Sequence, residues 1–351
     1  MDDLTFSVNS ILVSEDDDDS ILSTQSGSSL HSRLEVYKKK PSFVSNQAER
    51  RRLQLIEQKK KREAKIESFR FKPSTPKKTT SPHKSKSYIN PLYANQLMFS
   101  EWLVEVPNDL DKSWYMVLCP IGKRCLVVAS EGTTNVYNKA GKLISKHSSR
   151  LPGGFKESKI DYTILDCIYN DSLRTYYVLD CLCWKSHPIM DSETEFRFYW
   201  LKCKLEESKE VTEFSYENPY AFKDLPRVSN LTPDSIRSQF DFFNYEFKLD
   251  GVLFYHKETH YESGCTPLVG WLKPYMIPEI LNIQMPEWVL NQAPSDYVNV
   301  RKSIEKFEYE QRHKYEVNHQ KMDLVISEVK ETCFKSVDLS MEFNEITRQE
   351  M

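Results

Sequence analysis

From about residue 91 onward, apolar runs of strand length alternate with turn residues: Trp114–Cys119, Arg124–Ala129, Tyr162–Tyr169, Thr175–Trp184, Gly251–His256 and Leu268–Leu272. β-branched and aromatic residues dominate these runs, which predicts strands. Two segments switch to helical spacing. One starts at Ser192, with Glu195 completing a capping box, and sets Phe196, Tyr199, Trp200 and Cys203 at helical intervals. The other starts at Thr232, with Pro233 at the first helical position. Strands interrupted by these helices predict an α+β domain, largely antiparallel. Residues 299–330 read as a charged helical tail in which Met322, Val325, Ile326 and Val329 make a modest apolar face. Disorder is expected past residue 335. No internal repeat is visible, which excludes a helical-solenoid transport receptor.

The first ninety residues are patterned differently. Residues 1–30 are rich in Ser and Asp with scattered apolar positions (Met1, Leu4, Phe6, Val8, Ile11, Leu12, Val13), too few to fold alone. That spacing suits either an ordinary disordered tail or a short peptide docking into a partner's groove. Residues 45–68 predict a helix, capped by Asn46 with Glu49 at its third position. Its only apolar stripe, Leu53, Ile56 and Ile66, is too thin to hold a core, so the helix is expected to order on an acidic partner. A solvated charged helix and an RNA-binding arm fit the same pattern. Residues 73–90, with Pro73, Pro76 and Pro82 among Ser, Thr and Lys, read as a linker.

Composition changes this picture in one respect. The 351 residues carry a formal net charge of −3, yet Arg33 to Lys72 holds fourteen Lys or Arg against five Glu. The first nineteen residues carry acids and no Lys or Arg. Such asymmetry marks separate interaction segments. No apolar run approaches the roughly twenty residues that span a bilayer, and no secretory signal pattern is present. The eight cysteines contain no C-x-x-C pair, which favours buried thiols in a reducing setting over zinc or disulfides. His256 and His260 lie at a strand end rather than on one helix face, so structural roles are expected for them.

The strings Tyr93-Ala-Asn-Gln-Leu-Met98, Ser100-Glu-Trp102, Cys119-Pro120, Gly122-Lys-Arg124, Leu151-Pro-Gly-Gly154, Asp161-Tyr-Thr-Ile-Leu-Asp-Cys-Ile-Tyr-Asn170, Phe196-Arg-Phe-Tyr-Trp200 and Thr266-Pro-Leu-Val-Gly-Trp271 occur in this order. Together they make the chain resemble the snurportin family, nuclear-import adaptors that bind the trimethylguanosine cap of spliceosomal U-type ribonucleoproteins. The resemblance implies two mostly antiparallel β-sheets with flanking helices, a fold similar to the nucleotidyltransferase domain of mRNA guanylyltransferases and ligases, preceded by a basic helical arm. It divides the chain into an export-receptor-binding segment (1–30), an importin-β-binding arm (31–72), a linker (73–90), a cap-binding domain (91–290) and a tail (291–351).

That fold raises an enzymatic alternative, a guanylyltransferase or ligase. Those enzymes need a lysine nucleophile in K-x-D-G-x-R to form a covalent nucleotide adduct. The matching stretch runs from Cys119 to Arg124, with Cys119 at the lysine position. The D-G-E motif falls on Asp180-Cys181-Leu182, and the first lysine of K-W-K falls on Gly270. Asp250-Gly251 keeps the look of a further motif. The expectation is a nucleotide pocket with no catalytic residue, no cofactor and no metal. A general RNA-binding protein with a basic arm is a third reading.

A trimethylated cap offers a cationic base, a triphosphate and an amine stripped of donor hydrogens. These call for an indole, positive charge and an apolar wall. The resemblance assigns stacking to Trp271, contact with the added methyl groups to Trp102, cover to Phe99, a polar contact to Ser100, and the phosphates to Arg124 and Lys139. It gives Arg33, Leu34, Tyr37, Lys38, Arg50, Arg51, Arg52, Lys59, Lys60 and Arg62 to importin-β. It gives Met1, Leu4, Val8, Leu12 and Val13 to the export receptor acting with Ran-GTP. Capped RNA and its ribonucleoprotein are the implied cargo, with shuttling between nucleus and cytoplasm. Neither DNA nor a membrane is an implied partner.

Overall fold

The computed structural model describes residues 46–71, 90–310 and 313. All of these belong to one unit spanning Pro41–Met351. A long helix, α1 (Gln47–Phe71), precedes strand β1 (Met98–Trp102) and the short α2 (Leu110–Ser113). Strands β2 (Trp114–Pro120), β3 (Lys123–Ser130), β4 (Thr133–Tyr137), β5 (Leu143–His147), β6 (Tyr162–Asn170), β7 (Thr175–Trp184) and β8 (His187–Pro188) follow. Next come α3 (Thr194–Glu207), α4 (Lys209–Thr212), β9 (Ala221–Asp224), β10 (Arg227–Ser229) and α5 (Pro233–Asp241). The series closes with β11 (Leu249–His256), β12 (Gly264–Leu272), α6 (Ile277–Leu281), α7 (Glu287–Leu290) and a helix over 300–310, here α8.

Two sheets result, in the expected α+β arrangement. The smaller has the order β1-β12-β11-β2-β10 and the larger β5-β4-β3-β6-β7-β8, with β9 beside β7. Pairing is antiparallel except for β1 with β12 and β7 with β9. Strand β3 shows why the sheets stack. Leu126 and Val128 enter the core shared with the small sheet, while Cys125, Val127 and Ala129 enter a second core under α3 and α4. That alternation is the two-residue period of a strand covered on both faces. All ten residues of β7 are buried, as its nearly continuous apolar run requires.

Each predicted strand forms, some longer than expected: β11 starts at Leu249 and β12 at Gly264. Strands β1, β4 and β5 were not legible, being only five residues each. Thr232 caps α5 as predicted, its hydroxyl accepting from Ser235 N at 3.2 Å. The Ser192 capping box does not form. Helix α3 begins at Thr194 and buries Thr194, Arg197, Phe198, Leu201 and Leu205, while Phe196 and Tyr199 are exposed. The helix turns this face inward because Arg197 meets Asp180 at 2.8 Å, both side chains having no solvent exposure. A buried pair of this kind is costly to break, since either partner alone would be an uncompensated charge.

Tail packing continues past residue 290. Val300 and Ile304 are buried in the same core as the small sheet. Asn299 caps α8 by accepting from Lys302 N at 2.8 Å, and Glu279 accepts from Val300 N at 2.9 Å. The apolar face expected at Met322 to Val329 lies outside the described residues, as do residues 1–45 and 72–89.

Candidate functional site

Strand β1 gathers Phe99, Ser100 and Trp102. Its parallel partner β12 pairs Ser100 with Thr266, and a regular continuation would set Trp102 beside Leu268. A register shift after Ser100 intervenes, so Trp102 stands opposite Trp271. Irregularities of this kind re-aim side chains at ligand sites. The Leu103 N–H donates to the Trp271 carbonyl at 3.1 Å and fixes the pairing. Trp271 is half-buried, whereas Trp102 is 6% exposed.

Two glycines make room at this place. A Cβ on Gly251 of β11 would lie 2.3 and 2.4 Å from carbons of the Trp271 ring, and one on Gly270 would meet Leu103 at 3.0 Å. Gly251 thus permits the indole to lie across the neighbouring strand. The ring already takes a cation from the chain, with Lys273 Nζ 5.6 Å from its centroid. Lys273 is in turn held by Asp250 Oδ1 at 2.6 Å.

The basic residues sit with Phe99. Lys139 Nζ lies 4.5 Å from the Phe99 ring centre, and the Arg124 guanidinium 5.9 Å from it. The turn carrying Lys139 is clamped: its carbonyl accepts from Asn95 N at 2.9 Å, and Asn138 Oδ1 accepts from the N–H groups of Ala140 and Lys142. Arg124 has a structural duty. Its Nε and Nη2 bind the buried Asp166, and Nη2 also donates to the Met98 carbonyl at 2.9 Å. Tyr261 completes the loop, donating to Asp166 at 2.7 Å and accepting from Met98 N at 3.0 Å. Burial works against the Arg124 charge, but Asp166 more than offsets it and holds the guanidinium cationic. Asp166 and Tyr261 brace Arg124 and were missed by sequence reasoning. The available signal was one carboxylate inside an otherwise apolar strand.

The positions aligned with catalytic groups have other occupations. Burial pushes the Cys119 thiol up to about 12, so it stays protonated near neutrality. Asp180 is committed to Arg197, and Leu182 is 7% exposed. His256 packs edge-on against Trp114, and His256 and His260 both titrate below the usual imidazole range because of burial. Among the described residues no His, Cys, Asp and Glu cluster could hold a metal. A cavity of about 490 Å³ at the β2–β3 and β6–β7 turns, lined by Lys123, Tyr169, Phe247 and Lys248 among others, contains none of the candidate residues.

Helix α1 does not stand free. Asn46 caps it, accepting from Glu49 N at 2.9 Å, while the Glu49 carboxylate turns to Arg52. Its docked face is polar, built on Gln47, Arg51 and Gln58 at helical spacing, which are 6%, 5% and 2% exposed. Gln47 donates to the Trp102 carbonyl at 3.0 Å and accepts from Glu105 N at 3.1 Å. Arg51 donates to the Pro267 and Glu105 carbonyls, lies over the Trp114 ring at 5.4 Å, and is lowered by burial to about 10. Gln58 accepts from His260 N at 3.1 Å and donates to Glu262 at 3.0 Å. Arg50 grips Glu101 with both terminal nitrogens.

Outside this stripe, Lys59 meets Glu258 at 2.7 Å, Arg62 meets Glu193 at 3.7 Å, and Lys65 pairs with Asp191, while Lys60 is exposed. Carboxylates of the chain itself, Glu101, Glu258, Glu193 and Asp191, thus face this helix. Leu53, Ile56 and Ile66 remain exposed. The other importin-assigned residues (Arg33, Leu34, Tyr37, Lys38) and the export-assigned residues (Met1, Leu4, Val8, Leu12, Val13) lie outside the described residues.

A family profile described as Snurportin1, m3G cap-binding domain, matches residues 96–274. Among solved structures, the ligase domain of M. tuberculosis LigD is similar at 11% identity and a TM-score of 0.34, covering 50% of this chain and 57% of that one. Chlorella virus DNA ligase–adenylate is similar at 12% identity and a TM-score of 0.34, over 52% of this chain and 69% of that one. This chain spans less than two thirds of the LigD ligase domain.

Proposed function

The chain belongs to the Snurportin1 m3G cap-binding family, and from that premise we propose that it is an adaptor which binds a trimethylated RNA cap and carries it to importin-β without chemically processing it. One observation carries the cap reading: the register shift that brings Trp102 opposite Trp271, whose ring lies across Gly251. A methylated, cationic guanine would stack on the Trp271 indole. Trp102 would supply the apolar surface suited to the dimethylated amine, which has no hydrogen to donate. Phe99 would cover the site, and Ser100 would add a polar contact. Lys139 and Arg124 would face the phosphates, and the bonds from Arg124 to Asp166 use only Nε and Nη2.

The absence of processing rests on Cys119, Leu182 and Gly270. A protonated thiol at Cys119 does not replace an amine nucleophile in forming a phosphoramidate. The import half rests on α1. Importin-β would take over Arg50, Lys59 and Arg62 by offering carboxylates in place of Glu101, Glu258 and Glu193. The segment before residue 31 would return the empty adaptor through an export receptor with Ran-GTP, giving a protein that shuttles between nucleus and cytoplasm.

Titration with trimethylated, monomethylated and unmethylated cap analogues tests the proposal. The trimethylated analogue should bind tightest, and Trp271→Ala should weaken it by about 1–3 kcal/mol, the range for a lost base stack. Indifference to methylation would favour a general RNA-binding protein. Incubation with labelled GTP and magnesium should leave the protein unlabelled; a lysine adduct would restore the guanylyltransferase reading.

A further inference from the structure

Trp102 is the least accessible of the aromatic residues assigned to the cap, and the tail accounts for part of this. Phe307 of α8 places its ring 5.6 Å from the Trp102 ring at an interplanar angle of 84°. An edge-to-face arrangement of this kind is a favourable aromatic contact. It is also built from below. Ile304, one turn earlier on the same face, has no exposure, and Val300 has 2%. The start of α8 is pinned by Glu279, which accepts from Val300 N and from the Tyr297 hydroxyl. Lys306 pairs with Asp296 on the outside. Phe307 itself is 38% exposed, so it lies at the rim and not in the core.

We propose that α8 is a lid on the cap site, with Phe307 holding the Trp102 indole closed until a ligand displaces it. This rests on the reading that Trp102 contacts the cap. On that reading the exclusion follows from one contact: a methylated amine on Trp102 and the Phe307 ring would compete for the same indole. A site whose open form is only fractionally populated binds more weakly by that fraction, and removing the lid recovers the loss. The lid adds the aromatic contact of Phe307 to a helix already anchored at Val300 and Ile304. It can therefore open without unfolding the helix base.

The test uses the full chain and two readouts. The first needs no cap: Trp oxidation by N-bromosuccinimide, mapped by peptide mass. Trp102 should be protected in the wild type and reactive in Phe307→Ala. Equal reactivity in the two would overturn the lid. The second is affinity for a trimethylated cap dinucleotide, which Phe307→Ala should tighten by about two- to tenfold, the factor expected from one aromatic edge contact. Weaker or unchanged binding would overturn the proposal, a weakening making Phe307 a wall of the pocket instead. Exchange of the amides at 307–310 in the wild type should rise when the analogue is added, while those at 300–304 keep their protection. If Trp102 behaves as expected yet Trp271→Ala binds the analogue as the wild type does, the stacking assignment has failed separately from the lid.

Discussion

At the scale of single residues, Gly251 decides whether the indole can occupy its place. Its would-be Cβ falls 2.3 Å from the Trp271 ring and 2.8 Å from the Leu272 carbonyl, distances that no real side chain tolerates. Gly251→Ala should therefore push Trp271 out of position. We expect cap-analogue affinity to fall about tenfold, within the range for disturbing a base stack. Urea denaturation should show a modest loss, about 1–3 kcal/mol, as for other overpacked interiors. Unchanged affinity in a folded variant would mean that the position of Trp271 is not used. Arg124 teaches the complementary lesson. A surface cation by its sequence, it is a cross-link between β1 and the large sheet through Asp166 and Met98. Substituting it would therefore disturb folding as well as any contact it makes with a ligand.

At the scale of elements, α1 is held by two kinds of contact with different salt responses. The pairs Lys59–Glu258, Arg62–Glu193 and Lys65–Asp191 join side chains that are each roughly half exposed. Such pairs contribute about 0–1 kcal/mol and are screened by salt. Gln47, Arg51 and Gln58 are buried, and their bonds to Trp102, Pro267 and His260 are shielded from ions. Raising sodium chloride to about 1 M should accelerate amide exchange over residues 60–68 while the Gln47–Gln58 half keeps its protection. Uniform loss of protection would show that the exposed pairs hold the whole helix. The predicted capping residue and helical span of α1 were readable because capping and propensity are local. Its docked face was not, since Gln and Arg at helical spacing signal solvent until a surface supplies matching carbonyls and carboxylates.

For the whole molecule, three of the described imidazoles shape the response to mild acid. Burial holds His147, His256 and His260 below the usual range, so the folded chain takes up these protons only at lower pH. The unfolded chain takes them up near about pH 6.5. Between those values the unfolded state binds more protons, and stability falls as pH falls. Thermal melts should give a nearly constant Tm above about pH 7 and a decline beneath about 6.5, made shallower by His256→Gln. The carboxylates Glu246 and Glu258, lowered by Lys223 and Lys59, contribute stability that is lost only at more acidic pH, below about 4.5. A Tm that rose on acidification from about pH 7 to 5.5 would contradict the assignment.

The sequence by itself determined the α+β class, the main strands, the cap at Thr232, the basic character of the arm and the family. These depend on period, propensity and local spacing, which the chain carries without reference to its fold. Only the tertiary structure decided that Arg197 and not the aromatic stripe faces inward on α3, that Trp102 pairs with Trp271 through a register shift, and that Asp166 and Tyr261 brace Arg124. It alone brought α1 and α8 onto the strand bearing Trp102. Each of these joins residues tens to hundreds of positions apart. Such contacts are settled by which buried polar groups find partners, and no local pattern encodes that pairing.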